Sequence, residues 1–449
     1  MVTVPLAIVL LSFVVLSVAF RYASTGLRLP LGIYCGTYLL TTVIGATIIA
    51  LPGGRELWME YNGDADTTVL HAFTNARYWF LLYSPFLIPP FVAMTAERIR
   101  LVPSTRTVNR RPPEITFLAF AIVFALLAGY CFLTLSINGY LGDAAGIFRL
   151  GGDYVSVIQL RTEIFSNLGR TFFGLLYVGL PVLSHVAFYQ ALKLRTHKWR
   201  FAFVFSVFTI CILVLLTAQK GPLILYFLSL TIGYSIIRRT RIWAITAAAL
   251  TCLAMLNAFQ IFVLGDWSVL QSAFLVIFRM ANAFPFYCSL YPEVLHFTGI
   301  DVGLDLVGVV PRPTENEIVF NYMYPDVDWV QGAAPAPAHL AAYVQGGLPF
   351  AVATLMLIGI AVAVVARAGR KLESSLSYGA YIGGLFFLYY LTQITLRGAL
   401  ITNYGLAWAA VVLVALRGCS STFRRPVHLN RRTFPFVMNK PVFGEKNDC

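Results

Sequence analysis

Eleven apolar stretches divide this chain, near residues 2–20, 29–51, 77–95, 115–137, 171–191, 201–217, 222–237, 242–264, 347–366, 377–396 and 399–416. A helix of about 20 apolar residues crosses the ~30 Å hydrocarbon core of a bilayer. Backbone in lipid must satisfy its own hydrogen bonds, so stretches of this kind are expected as helices. They are too uniformly apolar for the alternating pattern of barrel strands. Composition agrees: 58% of the 449 residues are hydrophobic and 12% charged. Soluble domains carry about 25% charged residues. The expected fold is an all-α polytopic membrane protein with about 11 transmembrane helices and one large outer loop containing short interfacial helices.

A net charge of +13 raises the question of nucleic acid, and the distribution of charge answers it. With these spans, 24 of the 33 Lys and Arg fall on one side, and 15 of the 20 Asp and Glu on the other. The basic side is expected in the cytoplasm. The charge is a topology signal, so no nucleic-acid partner is expected. An odd number of spans puts the N-terminus outside and the C-terminus inside. The first span has no basic residue before it, unlike a cleaved signal peptide, and reads as a retained helix. The seven cysteines are scattered, with no spacing that indicates zinc and no pair placed for a disulfide in the oxidising compartment.

The organisation follows from the spans. Residues 1–264 carry eight helices and the outer loops 52–76 and 138–170, the first of these acidic and irregular. Residues 265–346 form the large outer loop, 347–416 three more helices, and 417–449 a basic cytoplasmic tail near anionic headgroups. Within the large loop, residues 268–295 are apolar and read as one or two helices at or re-entering the membrane surface, with Pro285 breaking any continuous helix. Residues 300–338 read as irregular loop. Gly379 and Gly383 stand in the GxxxG spacing of packed membrane helices.

Four cations stand beside the membrane on the outer side. Lys220 lies in the tight turn AQKGP, Arg279 in the apolar LVIFRMANAF, Arg312 between two prolines in VVPRPTENE, and Arg397 in TLRGAL. A charge near hydrocarbon is costly, so it either snorkels or has a function. Arginine offers phosphate a bidentate fork. Tyr322, Tyr324 and Trp329 alternate with Asp326 and Asp328, a pattern suited to stacking and hydrogen bonding of sugar rings, or to interfacial anchoring. Asp326 and Asp328 also make a DxD pair, which is a weak metal signal; no metal or other cofactor is expected. His339, Glu315 and Glu317 are the candidate general bases.

These pieces, in this order, resemble O-antigen polymerases of the Wzy type, within the superfamily shared with O-antigen ligases. LTAQKGPLILYFLSLTIGY resembles a family segment in which a basic residue and a small residue or Pro open a span. VVPRPTENEIVFNYMY resembles the stretch around the arginine of the family's large outer loop, PAPAHLAAYVQGGLPF the approach to the next span, and TLRGAL the arginine of the penultimate span region. The resemblance covers roughly residues 210–416. It implies that the outer loop is periplasmic and that the chain is an enzyme of the bacterial inner membrane. The reaction would be polymerisation of undecaprenyl-pyrophosphate-linked oligosaccharide units in lipopolysaccharide or related polysaccharide biosynthesis. Lys220, Arg279, Arg312 and Arg397 would bind the pyrophosphate and stabilise it as leaving group, with a separate chain-length regulator as partner. The family often has Arg where Lys220 stands, and His339 lies closer to Gly346-Gly347 than the ligase histidine would. A ligase acting on lipid A core or protein, and a flippase for the same lipid-linked unit, are the alternatives. A flippase is disfavoured by the absence of two matching halves with paired broken helices.

Overall fold

The computed structural model describes residues 3–61, 67–99, 115–142, 159–160, 163–164, 167–217, 219, 221–238, 269–298, 314–325, 334–370, 372–400 and 405–422. Among these residues every regular element is helical. Seven helices are long and apolar enough to cross a membrane. They are α2 (Thr25–Ala50), α5 (Ala76–Arg98), α6 (Phe117–Ile137), α7 (Thr171–Leu194), α8 (His197–Leu216), α9 (Gly221–Arg238) and α12 (Ala338–Gly369). α1 (Thr3–Tyr22), α13 (Ser375–Tyr390) and α15 (Leu406–Thr422) are further apolar helices. The stretch 242–264 lies outside the described residues. Large apolar side chains that face outward, such as Leu10, Phe132, Phe205, Phe208 and Leu357, fit a lipid surround rather than water.

The remaining helices are short or lie between spans. α3 (Pro52–Tyr61) and α4 (Thr67–Leu70), with the 3₁₀ turn His71–Thr74, occupy the stretch expected to be an irregular acidic loop. The proline at its first position pre-sets the helical φ for α3. α10 (Val269–Leu290) is one continuous helix with Pro285 inside it, where a break is expected from sequence. Its C-terminal half, from Met280 through Leu290, is almost wholly buried. Burial on that scale outweighs a proline penalty of about 3 kcal/mol. α10 packs along the second half of α2. α11 (Glu315–Met323) and α14 (Leu396–Leu400) complete the set.

The buried residues form two cores. The first joins α1, α2, α5, α10, α12 and α13; the second joins α6, α7, α8 and α15. α5 packs along both α1 and α12. α13 closes on its neighbours through small residues. A Cβ on Gly379 would touch Leu413 and Val186, and one on Gly383 would lie 2.8 Å from the Ala409 methyl, which gives the GxxxG spacing a packing role. α2 and α7 each contain a π-helical turn, Leu39–Val43 and Leu175–Gly179. α12 is broken at Gly346 and Gly347, the latter at φ 72°, ψ −163°. A non-glycine residue rarely adopts that φ. The 22 residues after the break suffice for about 33 Å, so residues 338–345 form a separate half-helix at one end of the bundle.

The two ends of the bundle differ in charge. The turns at Arg21–Arg28, Arg98, Lys193–Arg200 and Arg367–Glu373 meet at one end: Arg370 contacts Ser24 and Glu97, and Lys193 donates to Glu373 O (3.2 Å). This basic end agrees with the charge bias of the sequence. The opposite end holds α3, α4, α11 and the starts of α5 and α12.

Candidate functional site

The end opposite the basic one is held together by hydrogen bonds from side chains to distant backbone. Tyr287 of α10 is fully buried, and its hydroxyl meets Asn316 Oδ1 (2.9 Å) and Ala334 O (2.8 Å). Ala334 N in turn donates to Asn316 O (2.8 Å). One tyrosine thus joins α10, α11 and the approach to α12. Tyr343 Oη donates to Tyr291 O (2.6 Å), Thr298 N to Val344 O (3.1 Å), and Ala338 N to Leu391 O at the end of α13 (3.0 Å). The described parts of the large interspan segment are therefore built into the bundle.

Arg77, at the start of α5, is central to this end. Its Nη2 donates to Glu293 Oε1 (2.7 Å) and to Cys288 O (2.9 Å), and its guanidinium lies 5.8 Å from the Tyr343 ring centroid. The charge fixes the end of α10 against α5 and the half-helix of α12. Burial pushes the Cys288 thiol up, and the nearby Arg77 guanidinium pulls it partly back; it remains a packed thiol and not a thiolate nucleophile.

His339 sits at the start of the half-helix with no solvent exposure. Its Nε2–H donates to Leu81 O (3.0 Å). The partner follows from the sequence of α5: Pro85, four residues after Leu81, has no N–H, so the Leu81 carbonyl loses its helical donor. His339 supplies one from 258 residues away, with Ser84 Oγ at 3.5 Å. A carbonyl only accepts, so the bond puts a hydrogen on Nε2. Nδ1 has no hydrogen-bond partner among the described residues, and the Tyr38 ring stands edge-on, 5.5 Å away centroid to centroid. Tyr38 Oη itself donates to Leu82 O (3.0 Å).

The remaining candidates separate clearly. Glu317 closes the cap of α11: Thr314 N donates to Glu317 Oε2 (2.5 Å), and Glu317 N to Thr314 Oγ1 (3.4 Å). That reciprocal box commits the carboxylate to its own helix. Glu315 opens α11 and Arg279 lies on α10; of these two the backbone alone is described. Tyr322 and Tyr324 lie at the end of α11. Tyr322 meets Phe286 edge-on at 6.5 Å, and Tyr324 Oη accepts from Asn282 Nδ2 (3.2 Å). Trp58 of α3 packs on Phe286 at 5.4 Å and donates to Asn282 O (3.4 Å). Arg397 is half-buried on α14, which packs between α12, α13 and α15. Lys220, Arg312, Asp326, Asp328 and Trp329 lie outside the described residues.

Sequence reasoning passed over Arg77, Glu293, Tyr287, Asn316 and Tyr343. Arg77 carried a readable signal, since it opens a span directly after the Asn75 cap, whose side chain accepts from Arg77 N (2.9 Å). Its partners lie more than 200 residues away, and no local pattern points to them. No family model, curated protein or solved structure matches the chain.

Proposed function

We propose that the chain is a glycosyltransferase of the bacterial inner membrane that polymerises undecaprenyl-pyrophosphate-linked oligosaccharide repeat units at the periplasmic face. It has eleven spans, a periplasmic N-terminus and a cytoplasmic C-terminus. The reading rests first on the ordered set Lys220, Arg279, Arg312 and Arg397 beside the membrane. The observation that carries it further is the build of the acidic end. The helix bearing Arg279 is packed into the bundle; Tyr287 ties it to α11, which opens three residues after Arg312 in the sequence, and Arg77 ties its end to α5.

In the reaction, the bond between the anomeric carbon of the growing chain and its pyrophosphate breaks, and a bond to a hydroxyl of the incoming unit forms. The lipid pyrophosphate leaves with the electron pair. Fixed cations stabilise that developing charge without reorganising. The hydroxyl proton passes to a base. Glu317 is committed to its cap and His339 is closed in beneath Leu81 O, so that role falls to Glu315. Tyr322, Tyr324 and Trp329, with Asp326 and Asp328, are the residues assigned to contact the sugar chain. A separate chain-length regulator is the expected partner.

The test is a gel of surface polysaccharide from a host lacking the gene, complemented with variants. Loss of the gene should collapse the ladder to a single-repeat band. Arg312→Ala should do the same at unchanged membrane abundance, and a normal ladder from that variant would refute the leaving-group role. Loss of every decorated band with accumulated lipid-linked polymer would establish a ligase, and loss without polymer a flippase. A C-terminal fusion should fluoresce and be inactive as a periplasmic phosphatase.

A further inference from the structure

At the basic end, three side chains from three segments form a clip. Arg370 Nη2, after α12, donates to Ser24 Oγ in the α1–α2 turn (2.9 Å). Ser24 Oγ donates to Glu97 Oε1 at the end of α5 (2.6 Å), and Glu97 also pairs with Arg370. Gly26 makes room for this: a Cβ there would stand 3.0 Å from Arg370 Nε. The clip draws the ends of α1, α2, α5 and α12 to one point and uses Glu97 twice. Arg28 bends back onto the end of α1, donating to Ala23 O (3.2 Å) and Arg21 O (3.4 Å). Its guanidinium is thereby held against the backbone at the end of α1. Arg21, Arg28 and Arg98 are exposed, and Arg370 keeps 45% of its side chain open. Next to them Tyr22 and Ile99 are 66% and 64% exposed.

We infer that this corner, built from Arg21, Arg28, Arg98 and Arg370, binds the phosphate headgroup of an anionic phospholipid, whose acyl chains lie along Tyr22 and Ile99. The inference rests on membrane embedding alone and is independent of the proposed reaction. Four cations lie in the clip or within a few residues of it, and among the described residues the clip's carboxylate is already engaged, so the corner is locally under-neutralised. Basic pockets between helix ends at a membrane surface suit such headgroups, and arginine presents phosphate with a fork rather than a point charge. A soluble phosphate would use the arginines but not the exposed apolar residues beside them. The α7–α8 turn provides an internal control. It exposes Lys198 and Arg200 at the same end, and Lys193 there engages Glu373 O and the Tyr189 ring; among the described residues no clip gathers several helix ends around it.

The experiment uses the full chain in nanodiscs of phosphatidylcholine with or without phosphatidylglycerol, and native mass spectrometry counts the anionic lipids retained. The protein should retain phosphatidylglycerol selectively. Arg21→Gln with Arg98→Gln, both outside the clip, should weaken that retention roughly tenfold. Lys198→Gln with Arg200→Gln should leave it unchanged. An equal loss from both double variants would reduce the effect to bulk charge and overturn the site, as would no loss from the first. Inorganic pyrophosphate that displaces the lipid at low concentration would replace the membrane reading with a soluble anion site. Matching thermal midpoints in phosphatidylcholine alone confirm that the variants are folded.

Discussion

His339 and His185 are both fully buried in an apolar bundle, and both use Nε2–H as donor, but to partners of different kinds. In the first core His339 donates to a backbone carbonyl that a proline has left without its helical donor. On α7, where the second core borders the first, His185 donates to a side chain, Ser229 Oγ (2.7 Å), and its Nδ1 accepts from Tyr378 Oη of α13 (3.3 Å). Ser229 spends its own hydrogen on Tyr226 O (2.6 Å). The same device recurs nearby. Ser206 donates to Phe203 O (2.7 Å) and so accepts from Ser184, which accepts from Tyr226. Thr217 donates to Val214 O (2.7 Å) and accepts from Tyr177 (2.9 Å). Regular helices satisfy their own backbone, so here only side chains need partners. The first core has prolines, a glycine break and interspan segments, and its cross-links therefore reach distant carbonyls as well as side chains. Irregular backbone at membrane depth persists only where protein or a water-lined cavity satisfies it. Places that break local rules are where function concentrates, which favours the first core as the seat of the site.

The sharpest way to break that contrast is to force the backbones of the first core apart. A Cβ on Gly359 of α12 would lie 2.7 Å from Val92 Cβ and 2.9 Å from Pro89 O, both on α5. Neither neighbour can swing aside. Gly359→Val should destabilise by about 3 kcal/mol, read as the midpoint of unfolding in SDS. Gly379→Ala lies where α13 of the first core borders α7 and α15; it meets the methyl ends of Leu413 and Val186 at 3.0 Å and should lower the midpoint much less. Equal losses would mean that the interior of the first core is packed no more tightly than its border with the second.

The second test concerns the histidines directly. His339→Phe keeps a ring against Tyr38 but leaves Leu81 O without its principal donor, a loss of about 2 kcal/mol. Pro85→Ala should recover most of it, because the substituted residue again carries an N–H for Leu81 O. Additive losses in this double-mutant cycle would show that the histidine does not serve the proline. His185→Phe should lose only about 1 kcal/mol, since Ser229 keeps its bond to Tyr226 O and Tyr378 alone loses an acceptor.

These two cases also measure what the chain revealed of itself. The apolar helices are legible because each is a local, contiguous property of about 20 residues, and the kinship of the basic ends because charge bias accumulates along the chain. The Gly379–Gly383 contact is legible from spacing. α10 is misjudged at Pro285 because propensity sees the proline and not the buried neighbours that outweigh it. α3 is misjudged because acidic side chains mask a helix opened by Pro52. His339 is visible as a lone histidine before a span, but its purpose depends on a proline 254 positions earlier. Arg77 and Tyr287 act through partners that only folding brings near.

The mildest perturbation probes whether the back-bonded hydroxyls of the second core act as acceptors at all. Thr217→Val removes the acceptor for Tyr177 and the hydroxyl's own bond to Val214 O, in a site with no exposed surface at Thr217. Interhelical hydrogen bonds in membranes average about 0.6 kcal/mol, so a loss of that size is expected. Tyr177→Phe alone removes the same bond from its other end and should cost a similar amount, since Thr217 keeps its bond to Val214 O. A clearly larger loss from Tyr177→Phe would mean that the tyrosine hydroxyl is wired further than Thr217. The second core would then share the long-range polar wiring that otherwise sets the first apart.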